Sequence, residues 1–238
     1  MEFNEFKENF LKEIEKIKLN ISDDSIKKLY DYMKLLLEWN EKINLTAITD
    51  ENEIIKKHFV DSLTIFNLVK ENYKIIDVGT GAGFPGIPIA ITKNVDITLL
   101  DSLNKRINFL NEVKLSLGLN NIETVHGRAE EIAVKPEYRE RYDIAVSRAV
   151  APMNVLLEYL LPFVKVGGFC ICMKGPKVSE ELENIENVIK ILGGRFVRIE
   201  NLDFDKEMER NIVIIEKVNN TNKKYPRKPG MPAKQPLN

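Results

Sequence analysis

An α/β chain with a mostly parallel sheet and an all-helical start is what the sequence predicts, on three observations. From residue 73 onward, short β-branched runs alternate with helical stretches, and such alternation implies a parallel sheet covered on both faces. Residues 1–72 carry their apolar side chains at helical spacing. The last two strand-like runs have no helix between them, so that pair reads as antiparallel.

Taken in order, Phe3, Phe6, Phe10, Ile14 and Ile17 share one helical face, and Ile26, Leu29, Met33, Leu36 and Leu37 share another. Ser22 is placed to cap the second helix. Asp50 with Glu53 makes a capping-box-like start for a third, running through His58 towards Val69. These stripes read as a helical layer packed on the main domain, with His58 a structural member of it. Strands are expected at 75–79, 96–101, 122–126, 142–147 and 169–174, with helices near 86–92, 105–117 and 152–163. A further helix over 178–192 leads to strands at 195–202 and 211–218. The chain thus divides into an N-terminal helical segment (1–72), an α/β domain (73–218) and a basic C-terminal tail (219–238).

Composition limits the possibilities. A chain of 238 residues can bury a full core. Its two cysteines, Cys170 and Cys172, build no disulfide framework and suit one face of a strand. No apolar run reaches the roughly eighteen residues of a membrane span, and the charged start is unlike a signal peptide, so a soluble cytoplasmic protein is expected. The net charge of −1 conceals an uneven distribution. From Lys217 onward lie six of the 35 Lys/Arg and none of the 36 acids, which leaves −7 on residues 1–216.

The most informative stretch is IIDVGTGAGFPGIP, residues 75–88. A buried strand there runs into a glycine-rich turn and a helix, and Gly79, Gly81 and Gly83 can take positive φ and let backbone N–H groups approach a ligand. Two cofactors compete for such a turn. Gly81, Gly83 and Gly86 match the dinucleotide spacing, with Asp101 about twenty residues further on. Asp77 argues against a dinucleotide, because a carboxylate at the strand end repels a pyrophosphate. The same carboxylate attracts S-adenosylmethionine, which carries an ammonium and a sulfonium. The closing antiparallel pair likewise suits the Rossmann-like seven-stranded sheet of class I S-adenosylmethionine-dependent methyltransferases.

Open α/β sheets bind ligands at the carboxyl ends of their strands. Asp101 is placed there for ribose hydroxyls, with capping of the next helix as its alternative duty. Ala129 and Glu130, in Gly127-Arg128-Ala129-Glu130, are placed for an adenine edge, although Glu130 and Glu131 also favour a helix start. Arg148 ends the fourth strand near the expected methyl position, and Lys174-Gly175-Pro176 ends the fifth. The Asp/Asn-Pro-Pro-aromatic loop of exocyclic-amine methylation is absent, as is a Pro-Cys nucleophile for pyrimidine C5. A ring nitrogen with a free lone pair needs neither device, so no catalytic acid or base and no metal ligand is assigned; catalysis would rest on positioning.

Several ordered segments then resemble one family. Trp39-Asn40 through Asn44-Leu45-Thr46, His58-Phe59-Val60-Asp61-Ser62-Leu63, DVGTGAGFPG, LLDSLNKRINFL, GRAEE, SRAVAP, MKGP and KKYPRKPGMPAKQPL are similar to the bacterial 16S rRNA guanine-N7 methyltransferases of the RsmG (glucose-inhibited division protein B) family. The resemblance covers nearly the whole chain. It implies methylation of N7 on one guanosine of the 16S rRNA decoding-region hairpin. It also implies that Gly79, Phe84, Ala129, Glu130 and Arg148 contact S-adenosylmethionine; Asp77, Gly81 and Asp101 are added on physical grounds. Arg148 and Lys174 are candidates to hold the target nucleotide. The tail KKYPRKPGMPAK, kept extended by its prolines, reads either as a solvated terminus or as an arm meeting rRNA phosphates through Lys223, Lys224, Arg227 and Lys228, with Tyr225 packing or stacking. A non-catalytic rRNA-binding or ribosome-assembly factor and an NAD-dependent oxidoreductase are the competing functions.

Overall fold

The computed structural model describes residues 1–202 and 209–238. Helices α1 (Phe3–Glu15) and α2 (Asp23–Asn40) come first, then a short α3 (Glu51–Ile54), a π-helical turn at Ile55–Val60 and α4 (Asp61–Leu63). Alternation follows: β1 (Lys74–Val78), α5 (Gly86–Thr92), β2 (Asp96–Asp101), α6 (Asn104–Ser116), β3 (Ile122–His126), α7 (Ala129–Ile132) and β4 (Tyr142–Arg148). The chain continues through α8 (Met153–Leu160), β5 (Val164–Lys174), α9 (Val178–Leu182), α10 (Glu186–Ile191), β6 (Gly194–Leu202), β7 (Arg210–Lys217) and α11 (Met231–Lys234). The strands form a seven-stranded sheet in the order β3-β2-β1-β4-β5-β7-β6. The pairs β2/β3, β1/β4 and β4/β5 are parallel, whereas β7 runs antiparallel to both β5 and β6, as the missing helix between the last strands required.

Two compact units are distinguished, one of Met1–Asn72 with Thr80–His126 and one of Tyr73–Gly79 with Gly127–Asn238. In the first, the predicted helical stripes are the core: Phe6, Phe10, Ile14, Ile26, Leu29, Met33 and Leu36 are all buried. Each contributes about 1.5–3 kcal/mol by leaving water. Ser22 caps α2 by accepting the Ser25 N–H at 3.2 Å, and Asp50 caps α3 by accepting that of Glu53 at 2.9 Å. The single third helix expected from Asp50 towards Val69 is instead broken into α3, the π-turn, α4 and a 3-10 turn at Phe66–Leu68. Side chains compete for its backbone: Ser62 Oγ donates to the His58 carbonyl at 2.5 Å and Thr64 Oγ1 to that of Asp61 at 2.6 Å.

In the second unit β1, β4, β5 and β7 are apolar on both faces, with Ile76, Ala145, Cys170 and Ile215 sharing one register row. Strand β5 starts at Val164, five residues earlier than its sequence suggested. Gly167 and Gly168 read locally as a turn, yet they lie in the strand beside a shift in β4/β5 register, where a Cβ on Gly168 would stand 2.5 Å from the Asp143 carbonyl oxygen. The helix expected over 178–192 is two helices, because Asn184 between them takes a left-handed backbone (φ +58°). The tail is not uniformly extended either: α11 forms with Pro232 in its first turn, where a missing N–H is harmless.

Candidate cofactor site

The glycine turn follows β1 in the chain. In the first unit Thr80 donates its N–H to Leu100 in β2 at 3.1 Å, and Gly81 donates to Asp101 Oδ2 at 2.9 Å. Asp101 is buried, and its other oxygen accepts the Leu103 N–H at 2.9 Å while Arg106 Nη1 approaches Oδ2 at 3.1 Å. Of the two duties weighed for Asp101, the structure shows the one at the entry to α6, through the Leu103 N–H; the bond from Gly81, which fixes the turn, was not foreseen. The glycines differ in purpose. At Gly81 (φ +64°) a Cβ would meet open space, whereas at Gly83 (φ +99°) it would stand 2.4 Å from Ile87 Cδ1 and 2.9 Å from the Tyr32 hydroxyl. Gly83 serves packing; Gly81 leaves a cradle.

Phe84 is buried, its ring stacked on His58 with centroids 4.5 Å apart and Tyr32 at 5.4 Å. Thr46 Oγ1 accepts the Ile48 N–H at 3.0 Å and shares a hydrogen bond with His58 Nε2 at 2.8 Å, while Nδ1 faces the Lys57 carbonyl oxygen at 3.2 Å. Asn40 in turn holds the backbone N–H groups of Leu45 and Thr46 at 2.8 and 3.0 Å. His58 is buried and held within the first unit by Thr46 and by its stack on Phe84. Its partnership with Phe84 spans 26 residues and carries no spacing signal in a single sequence.

In the second unit Asp77 is fully buried at the end of β1, opposite Val146 of β4. Ser147 Oγ locks the two strand ends by donating to the Val78 carbonyl at 2.8 Å. Gly79 (φ +70°) is required by the loop after β4, since a Cβ there would stand 2.6 Å from Val150 Cγ2. Arg148 is half-buried at the end of β4, and Ala149 beside it holds φ +55°. Such a conformation in a residue with a Cβ marks a loop whose geometry is over-determined. Ala129 and Glu130 are buried at the start of α7, and Glu130 Oε1 accepts the Gly230 N–H at 2.9 Å.

Two expectations about cations are corrected. Lys174 does not stand ready for a nucleotide: it is buried, pairs with Glu181 at 2.6 Å and donates to the Ala151 carbonyl at 2.8 Å. Arg227 is likewise committed, gripping the fully buried Glu158 through Nε (2.9 and 3.1 Å) and Nη2 (2.7 Å). This pairing raises the guanidinium pKa still further. Lys223, Lys224 and Lys228 remain exposed, whereas Tyr225 is buried and packs, one of the two roles foreseen for it. Cys170 and Cys172 are buried in β5, and burial pushes the Cys172 thiol up to about 12.

No helix of the described residues is long and apolar enough to cross a membrane. A family model for rRNA small subunit methyltransferase G (GidB) matches residues 25–213. A ribosomal RNA small subunit methyltransferase G of Alkaliphilus metalliredigens is 51% identical over 222 residues, 92% of this chain and 93% of its own. Its counterpart in Clostridium kluyveri is 52% identical over the same 92% of the chain and 93% of its own length. Among solved structures, a SAM-dependent methyltransferase from Aquifex aeolicus shares the fold at TM-score 0.53 and 18% identity, covering 76% of this chain and 98% of its own. Of the two cofactors weighed from the glycine turn, these likenesses favour S-adenosylmethionine. With its family matched over residues 25–213, the chain belongs to the rRNA small subunit methyltransferase G family of S-adenosylmethionine-dependent enzymes.

Proposed function

We propose that this chain transfers a methyl group from S-adenosylmethionine to N7 of one guanosine in the decoding-region hairpin of 16S rRNA, acting in the cytoplasm on the rRNA or the small ribosomal subunit. The observation that carries the reading is the turn pinned to Asp101, which leaves a cradle at Gly81 beside a left-handed backbone. A cradle of that kind fits a ligand that must approach main chain closely. The residues proposed to hold the methyl donor are Asp77, Gly79, Gly81, Phe84, Asp101, Ala129, Glu130 and Arg148. Of the three buried carboxylates among them, Asp77 is the one proposed to attract the ligand's cationic centres, with Asp101 proposed for the ribose and Glu130 for the adenine edge.

When bound, S-adenosylmethionine supplies an electrophilic methyl group. Neutral guanine N7 has a lone pair and no proton to lose, so the chain is asked for orientation and electrostatics rather than for a base. A cysteine nucleophile is disfavoured, because a thiol pushed up to about 12 is scarcely ionised at neutral pH. In A-form RNA N7 lies in a deep, narrow groove, so the target guanosine is unpaired or turned out when it reacts. Exposed Lys223, Lys224 and Lys228 are proposed as phosphate contacts.

Incubating the protein with labelled S-adenosylmethionine and 16S rRNA, or 30S particles, from a strain lacking the gene tests this. The expected outcome is one N7-methylguanosine, mapped by cleavage at the modified base. Methylation at another atom, or none on either substrate, overturns it.

A further inference from the structure

The tail is built into the second unit rather than laid along it. Arg139 donates to the carbonyl oxygens of Thr221 (2.7 Å) and Tyr225 (2.9 Å), and Glu140 accepts the Thr221 N–H at 2.7 Å. Beyond Tyr225, Glu158 accepts from Arg227 twice over, from the main-chain N–H at 2.7 Å and from the guanidinium fork. Glu158 stands in the apolar helix α8 with no exposed surface. A carboxylate in that position is tolerated only with its charge matched and its oxygens bonded, so the pair works as a latch. Three residues further on, Gly230 takes φ +82° and its N–H meets Glu130 Oε1 at 2.9 Å, linking positions 100 residues apart.

We propose that the tail is a positioning element of the cofactor site, in which the Arg227–Glu158 latch sets the Gly230 N–H against Glu130 and so fixes the carboxylate that reads the adenine edge. The inference rests on the reading of Glu130 as an adenine contact. A glutamate has three side-chain torsions to settle, and one main-chain donor on Oε1 selects the rotamer while assigning Oε2 to the ligand. Arg227 is then a positioning residue, acting through Gly230, and the exposed lysines around it serve a different partner.

The test is calorimetric binding of S-adenosylmethionine to the full chain, in a cycle of Arg227→Ala, Glu130→Ala and the double variant. Arg227→Ala is expected to raise Kd about tenfold, the loss of one charge-assisted hydrogen bond. The double variant should then bind no worse than Glu130→Ala alone, because both act on the same adenine-reading carboxylate. Arg227→Lys keeps the charge and the fold but not the fork, and should raise Kd a few-fold while the Gly230 amide loses exchange protection. It carries the test if the alanine variant does not fold. An unchanged Kd in both Arg227 variants, or equal weakening with and without Glu130, overturns the proposal. If Glu130→Ala itself leaves Kd unchanged, it is the adenine reading of Glu130 that falls, and the proposal with it.

Discussion

Replacing Asp101 by alanine separates holding the turn from binding the cofactor. The carboxylate accepts two backbone N–H groups at 2.9 Å and one guanidinium N–H at 3.1 Å. Backbone bonds to a charged acceptor contribute about 1.5–3 kcal/mol each. Arg106 is 31% exposed, so its ion pair contributes less than about 1 kcal/mol. Water reaches half-buried Gly81 and exposed Leu103 once the carboxylate has gone, so a net loss of about 2–4 kcal/mol is expected. A loss of about 3 kcal/mol lowers Tm by roughly 6–12 °C in a chain of this size. Asp101→Asn retains the shape and an acceptor, and should lose about half as much. Urea titration measures the fold, and calorimetry on the asparagine variant measures the cofactor, whose Kd should rise roughly tenfold or more. A wild-type urea midpoint in Asp101→Ala would refute the pinning of the turn; wild-type affinity in folded Asp101→Asn would remove the residue from the ribose.

The glycines should respond in opposite ways. Gly83→Ala meets Ile87 and Tyr32 and should cost about 2 kcal/mol or more in stability, whereas Gly81→Ala incurs only about 1 kcal/mol of backbone strain yet loses cofactor affinity, both read by denaturation and calorimetry. Cys170→Ser and Cys172→Ser should each retain methyl transfer with modest losses of stability; abolished transfer in a folded Cys172→Ser would replace the proposed chemistry with a covalent one. Because burial raises the Cys172 pKa from 9.0 to about 12, the unfolded chain releases that proton first, and stability is full below pH 9 and falls between pH 9 and 12. The slope of roughly 1.4 kcal/mol per pH unit should be missing from the Cys172 share in Cys172→Ala, as alkaline denaturation can show. Neutralising Lys223, Lys224 and Lys228 together should leave cofactor affinity unaltered and flatten the log–log salt dependence of RNA binding by about 0.7–0.9 for each phosphate no longer neutralised; an unchanged slope would return them to the solvent.

What the sequence made legible were features set by neighbours in the chain. Strands β2 and β3 run from Asp96 to Asp101 and from Ile122 to His126, as their apolar residues and flanking breaks predict. Periodicity also located α1, α2 and α6 to within a few residues. It could not show the break at Asn184, since the apolar spacing continues on both sides of it, nor the true start of β5, where two glycines mimic a turn. The glycine motif was plain, as was the spacing to Asp101, but the bond between Gly81 and Asp101 needs the fold to close it. Arg227 is the clearest limit. Nothing local distinguishes it from the lysines at its side; what sets it apart is a carboxylate 69 positions earlier, hinted at only as one acid in an otherwise apolar helix.

The strand order β5-β7-β6 has a consequence for synthesis. Strand β7 is made after β5 and β6 and is inserted between them, so β5 keeps an open edge and β6 has no sheet neighbour until β7 has emerged. A stop codon ahead of β7, even one that spares every residue of the glycine turn, would therefore release a chain with bare strand edges. Such chains associate through those edges rather than fold. Loss of activity by such a truncation should accordingly be accompanied by loss of soluble protein.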